Sequence, residues 1–204
     1  MSQGLSKMLQ SIDGNNIEMR IAYQCAPLLA GLKPSNLLML RSRELVCVQH
    51  LLKKAGISYF IVAQEKEKEK AAVLLYNKKQ LEKYMEQECV AEGLCRMGYE
   101  DLSLGRVLYV FRVHYEAFLR GEGDFPHEMG FLLGYPVEDV EGFIRNGGEN
   151  SLYTGDWKVY DNLTEKLQLF SKFEVARESL LGMVSAGTGI VEIMRNKRLQ
   201  QPVA

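Results

Sequence analysis

Residues 57–76 read ISYFIVAQEKEKEKAAVLLY, and this stretch decides the fold class. Residues 57–63 are rich in β-branched and aromatic side chains, which suit a pleated, half-buried strand. Residues 71–76 are unbroken apolar sequence and read as a second strand. Between them, residues 64–70 alternate in charge, as a solvated hairpin tip does. Working outward, Leu37 to Leu40 is a third short strand. No further strong strand signal follows residue 76, so the sheet is small and lies in the N-terminal half.

The flanking sequence is helical. Residues 17–30 hold a helix that Pro27 bends or ends. Leu45, Val48, Leu52 and Ala55 repeat on one face of a helix that Ser42 caps and Gly56 stops. Asn77 caps a helix through Leu81, Tyr84 and Met85 towards Cys95. Leu104, Leu108, Phe111, Tyr115 and Phe118 make a stripe that predicts a core helix with both phenylalanines buried. Pro126 to Gly134 and Pro136 to Arg145 are shorter helices, each opened by its proline. The second turns Val137, Val140 and Ile144 inward and stops at Asn146-Gly147-Gly148. Residues 151–160 hold the only Trp in an extended segment or loop. A long helix from Leu163 to Val184 ends at Gly187 and Gly189. The expected class is α+β: a small sheet from the N-terminal half packed with a predominantly helical C-terminal half. The expected organisation is a lead-in over residues 1–16, one globular domain over 17–187 and a tail over 188–204.

Composition narrows the function. The 204 residues carry 25 Lys and Arg against 26 Asp and Glu, which gives no general pull towards nucleic acid or anionic lipid. The expectation is no nucleic-acid partner and no membrane partner. The first 16 residues lack the apolar stretch of a signal peptide. Cys25, Cys47, Cys89 and Cys95 form no C-x-x-C pair, so zinc or redox spacing is absent. Reduced thiols and a cytoplasmic location are expected, with Cys47 and Cys89 buried. No phosphate-binding glycine loop, nucleophile elbow or H-E-x-x-H motif is present: the position four after His127 is Phe131. No ligand set calls for a metal, haem or flavin, and the cofactor is left unassigned.

Two blocks are unlike generic amphipathic sequence: residues 125–136, FPHEMGFLLGYP, and residues 155–160, GDWKVY. Pro126 pins a first helical turn at His127 and Glu128, where the helix dipole disfavours an imidazolium and favours a carboxylate. His127 is the candidate base, with Glu128 beside it. Cys25, next to the helix interruption at Pro27, is the candidate nucleophile, with Lys33 or His127 to activate it. Trp157 and Tyr160 offer apolar walls, and Lys33 and Lys158 offer anion contacts, for a bound ligand. With Cys25-Ala26-Pro27 and residues 33–37, KPSNL, these blocks resemble the bacterial family called domain of unknown function 3793. The resemblance runs over roughly residues 20–180. It implies a single-domain cytoplasmic protein, largely of anaerobes, and transfers no catalytic residue. Two functions from different classes therefore stand. One is a module that binds a small molecule or protein without chemistry of its own. The other is a small thiol- and histidine-dependent enzyme, with Cys25 as nucleophile and His127 as base. Either way His127 should share a concave surface with Trp157 or Tyr160, with Cys25 or Lys33 at its edge.

Overall fold

In the computed structural model, which describes residues 16–65 and 67–200, the apolar run at 71–76 is the middle of a sheet. The strands are β1 (Ser35–Arg41), β2 (Ser58–Glu65) and β3 (Lys70–Tyr76), all antiparallel, in the order β1-β3-β2. A strand covered on both faces cannot alternate polar with apolar residues. Accordingly, Ala71, Val73 and Leu75 enter one core while Ala72 and Leu74 enter another. A register shift between Ile61 and Ala63 bulges β2, so that the neighbours Val62 and Ala63 both serve the second core. The protein is thus α+β, with a three-stranded sheet between two helical layers.

The first layer begins with α1 (Ile17–Gln24) and α2 (Ala26–Leu29). They are two helices rather than one, because the chain breaks at Cys25. Pro27 then sits in the first turn of α2, where a missing N–H has no helical partner to lose. Helix α3 (Leu45–Ala55) buries Leu45, Val48, Leu52 and Ala55, and Gly56 closes it at φ +60°. Ser42 does not cap α3. It opens a 3-10 turn, Ser42–Glu44, in which the Glu44 carboxylate accepts from the Arg41 N–H at 2.8 Å. Cys47 and Cys89, expected inside, are exposed. Cys47 lies off the 45-48-52-55 face, and Cys89 precedes the inward residue Val90. Only Cys25 is buried, and all four thiols are free.

The second layer holds α4 (Lys78–Met85), capped by Asn77 through the Gln80 N–H, and α5 (Glu88–Arg96). Next come α6 (Leu104–Leu119), α7 (Glu128–Leu132) and α8 (Val137–Arg145). Helix α6 buries Leu104, Val107, Leu108, Phe111 and Tyr115. Phe118, expected to be buried, is 37% exposed. The stripe has left the core by the last turn, and the ring packs on Phe125 instead, at 5.4 Å between centroids. Ile144 is likewise exposed, at the end of α8.

A two-residue hairpin follows, β4 (Tyr153–Thr154) with β5 (Lys158–Val159). Helix α9 (Leu163–Ser185) then returns to the first layer, where Ala176, Leu180 and Leu181 are buried. Gly187, at φ +92°, turns the chain into α10 (Ile190–Gln200). Residues assigned to a tail in the sequence therefore include packed structure: Ile190 and Ile193 belong to the first core. Among the described residues, no helix is long and apolar enough to cross a membrane. The expected lead-in over 1–16 falls outside the described residues except for Asn16, which caps α1.

Candidate functional site

The two unusual sequence blocks meet through one carboxylate. Asp139, in the first turn of α8, is buried and accepts two N–H groups from the second block and one from the residue after it. The Trp157 indole donates to Oδ2 at 2.7 Å. The Tyr160 and Asp161 backbones donate to Oδ1 at 2.7 and 3.3 Å. A buried carboxylate is tolerated when its oxygens are satisfied in this way. The contact is close because Gly142, one turn further along α8, has no side chain. A Cβ there would stand 2.5 Å from the Tyr160 ring. Gly130 makes the same allowance for Val140, at 2.7 Å. Much of what distinguishes these blocks is the joint between α7, α8 and the hairpin.

The joint leaves a cavity of about 330 Å³. Phe125, His127 and Phe143 form one aromatic group, with the histidine ring 5.3 Å from Phe125 and 5.8 Å from Phe143. Tyr135 stacks on Trp157 at 4.8 Å, and Trp157 meets Phe170 edge-on at 4.6 Å. Met129 and Val140 add aliphatic surface, and Thr154, Gly155, Asp156 and Lys158 bring the hairpin to the lining. His127 stands at the cap position of α7, but its side chain makes no capping bond. Among the described residues, no side chain or backbone group claims either ring nitrogen. The Lys158 ammonium donates to the Gly148 carbonyl. Asp156 is held by Arg177 through both oxygens, and Glu174 holds the same guanidinium.

Of the residues expected to share a site, His127, Trp157 and Lys158 line this cavity. Lys33 lies just behind the wall. Its ammonium is 4.8 Å from the centroid of the Tyr135 ring, and the residue is 5% exposed. Burial lowers its pKa to about 8; Asp156 and Cys25 partly offset this, while Arg177 adds to it. Cys25 adjoins Lys33 electrostatically but does not line the cavity. Burial pushes its thiol up to about 12, and Lys33 opposes that only in part. Tyr160 packs beside the cavity against Gly142, with its hydroxyl buried and unpartnered among the described residues. Glu128 faces away. It is buried and accepts from the Tyr99 hydroxyl at 3.0 Å, while His114 Nδ1 lies 2.7 Å from the same oxygen. Burial, then Glu128, raise the Tyr99 pKa. His114, on α6, thus brings a polar partner to Glu128.

Sequence reasoning missed Phe125, Tyr135, Asp139 and Phe143 as site residues. Three stand in or beside the quoted blocks, yet a lone Asp in a helical first turn reads as dipole compensation. Its three donors lie 18 to 22 positions away, and no local pattern marks them. Among the described residues, no group of three or more His, Cys, Asp or Glu side chains could hold a metal ion.

Comparison with known proteins matches neither a curated protein nor a solved structure. Over residues 21–194 the chain matches the model of the family described as protein of unknown function (DUF3793), and it belongs to that family.

Proposed function

We propose that this chain is a cytoplasmic bacterial protein that binds a small organic ligand in the cavity between α7, α8 and the β4–β5 hairpin. One observation carries the reading: an aromatic-walled space of about 330 Å³ on which His127, Trp157 and Lys158 converge. Its volume is at the small end of ligand pockets, and its character is typical of them: mostly apolar lining with a few placed polar groups. The His127 ring is held by aromatic neighbours and leaves its nitrogens to an incoming molecule.

The thiol enzyme is the weaker reading. At about 12, the Cys25 thiol holds a thiolate fraction on the order of 10⁻⁵ at pH 7, and the thiolate is the nucleophile. Glu128, turned to Tyr99 and His114, is not placed to assist His127.

Ligand-observed NMR with a library of aromatic fragments tests the binding reading on the wild type and on His127→Ala. Fragments should bind the wild type and lose at least about tenfold in affinity in the variant. The melting temperature should stay within about 1–2 °C, since no capping bond is lost. Fragments that bind both proteins equally would contradict the site.

A further inference from the structure

We infer that the cavity selects a planar aromatic ligand carrying one acidic group, with that group held by Lys158 and His127. This rests on the ligand-binding reading above and gives the ligand its chemistry. The lining holds hydrogen-bonding capacity that the protein itself leaves unused. Two carboxylates reach the lining, and neither is free. Asp139 commits both oxygens to the Trp157, Tyr160 and Asp161 N–H groups. Asp156 spends both on Arg177. A cationic ligand therefore finds no open acceptor of opposite charge.

The donors are in the reverse condition. Lys158 has three N–H bonds and gives one to Gly148. No carboxylate forms an ion pair with it among the described residues. His127 donates to no protein group among the described residues. Lys33 places a further buried ammonium 4.8 Å from the Tyr135 ring and makes no ion pair or side-chain hydrogen bond among the described residues. Two nitrogen groups, on Lys158 and His127, thus line the cavity with donor capacity to spare, and the Lys33 ammonium lies behind the Tyr135 wall. The walls set the remainder of the molecule. Phe125 and Phe143, together with the Tyr135–Trp157 stack, favour a flat π-system over a branched aliphatic one. A single acidic group on such a ring fills the open donors without requiring a second polar pocket.

The test is an NMR titration of the ¹⁵N-labelled full chain with 2-naphthoate and with its neutral isostere 2-naphthamide, followed at the Trp157 indole. The carboxylate should bind at least about tenfold tighter at pH 7. Raising the salt from 0.05 to 0.5 M should weaken naphthoate selectively, because screening acts on the charged pair. Lys158→Met should bring the two affinities within about twofold while the amide still binds, and Lys158→Arg should keep the preference. The amide's binding reports that the cavity of each variant is intact. An amide that binds as well as the carboxylate, or a preference that survives Lys158→Met, would overturn the inference and leave the ligand-binding reading standing. If neither compound binds, both fall.

Discussion

Lys33 holds a positive charge in the interior with no carboxylate in ion-pair contact among the described residues, and that makes its energetic signature readable. Burial lowers its pKa from 10.5 to about 8. Between those values the unfolded chain binds more protons than the native one, so stability rises with pH across the window. The charged form is the costly one, and the cost is present at pH 7. From pH 7.5 to 9 the Lys33 contribution should grow by about 1 kcal/mol. Cys25 acts in the opposite sense. Its pKa is raised, so its contribution is lost above pH 9, and the comparison is kept below that value. Urea unfolding of the wild type should show the rise, and Lys33→Met should remove it while stabilising the protein at pH 7. A variant with the same pH slope as the wild type would show that Lys33 is solvated. Little of this was legible in the sequence. The sequence marked Lys33 as an anion contact and a neighbour of Cys25, but its burial under Tyr135 depends on the fold.

Asp139 is the counterpart at the scale of elements, joining α8 to a hairpin with only two residues in each strand. A hairpin of that size is marginal by itself, so the joint maintains the cavity wall. Asp139→Ala leaves three donors without their acceptor, and one lost charged hydrogen bond typically costs about 1.5–3 kcal/mol. The variant should lose roughly 3 kcal/mol or more and shift Trp157 emission to the red as the indole meets water. A loss under 1 kcal/mol with unchanged emission would show that the hairpin is held by its apolar contacts alone. The elements themselves were largely legible. The 45-48-52-55 face, the Asn77 cap and the Leu104 stripe all follow local rules of spacing. Phe118 and Ile144 departed because periodicity does not reveal where a helix runs past its partner. Cys47 and Cys89 departed because a preference for burial is weaker than the phase of the helix that carries the residue.

Across the whole molecule, the apolar run at 71–76 foretold a strand, and its two-sided burial accounts for the absence of polar alternation. The convergence of residues 125–143 with 154–158 was only half legible. The blocks announced themselves by composition, but their contact depends on Asp139 and on glycines whose role appears only when a neighbouring ring lies against them. The central claim is that both blocks exist to enclose one ligand-binding cavity. Trp157 is the chain's only tryptophan, so its indole N–H is a unique NMR probe inside that wall. The most direct measurement is a ¹H–¹⁵N map of the full chain titrated with the tightest fragment hit. Saturable shifts should centre on the Trp157 indole, Gly155, Thr154 and His127 and fade towards α3 and α10. Shifts centred instead on the separate cavity lined by Gly31, Gln80 and Lys197, with the Trp157 indole unmoved, would contradict the claim.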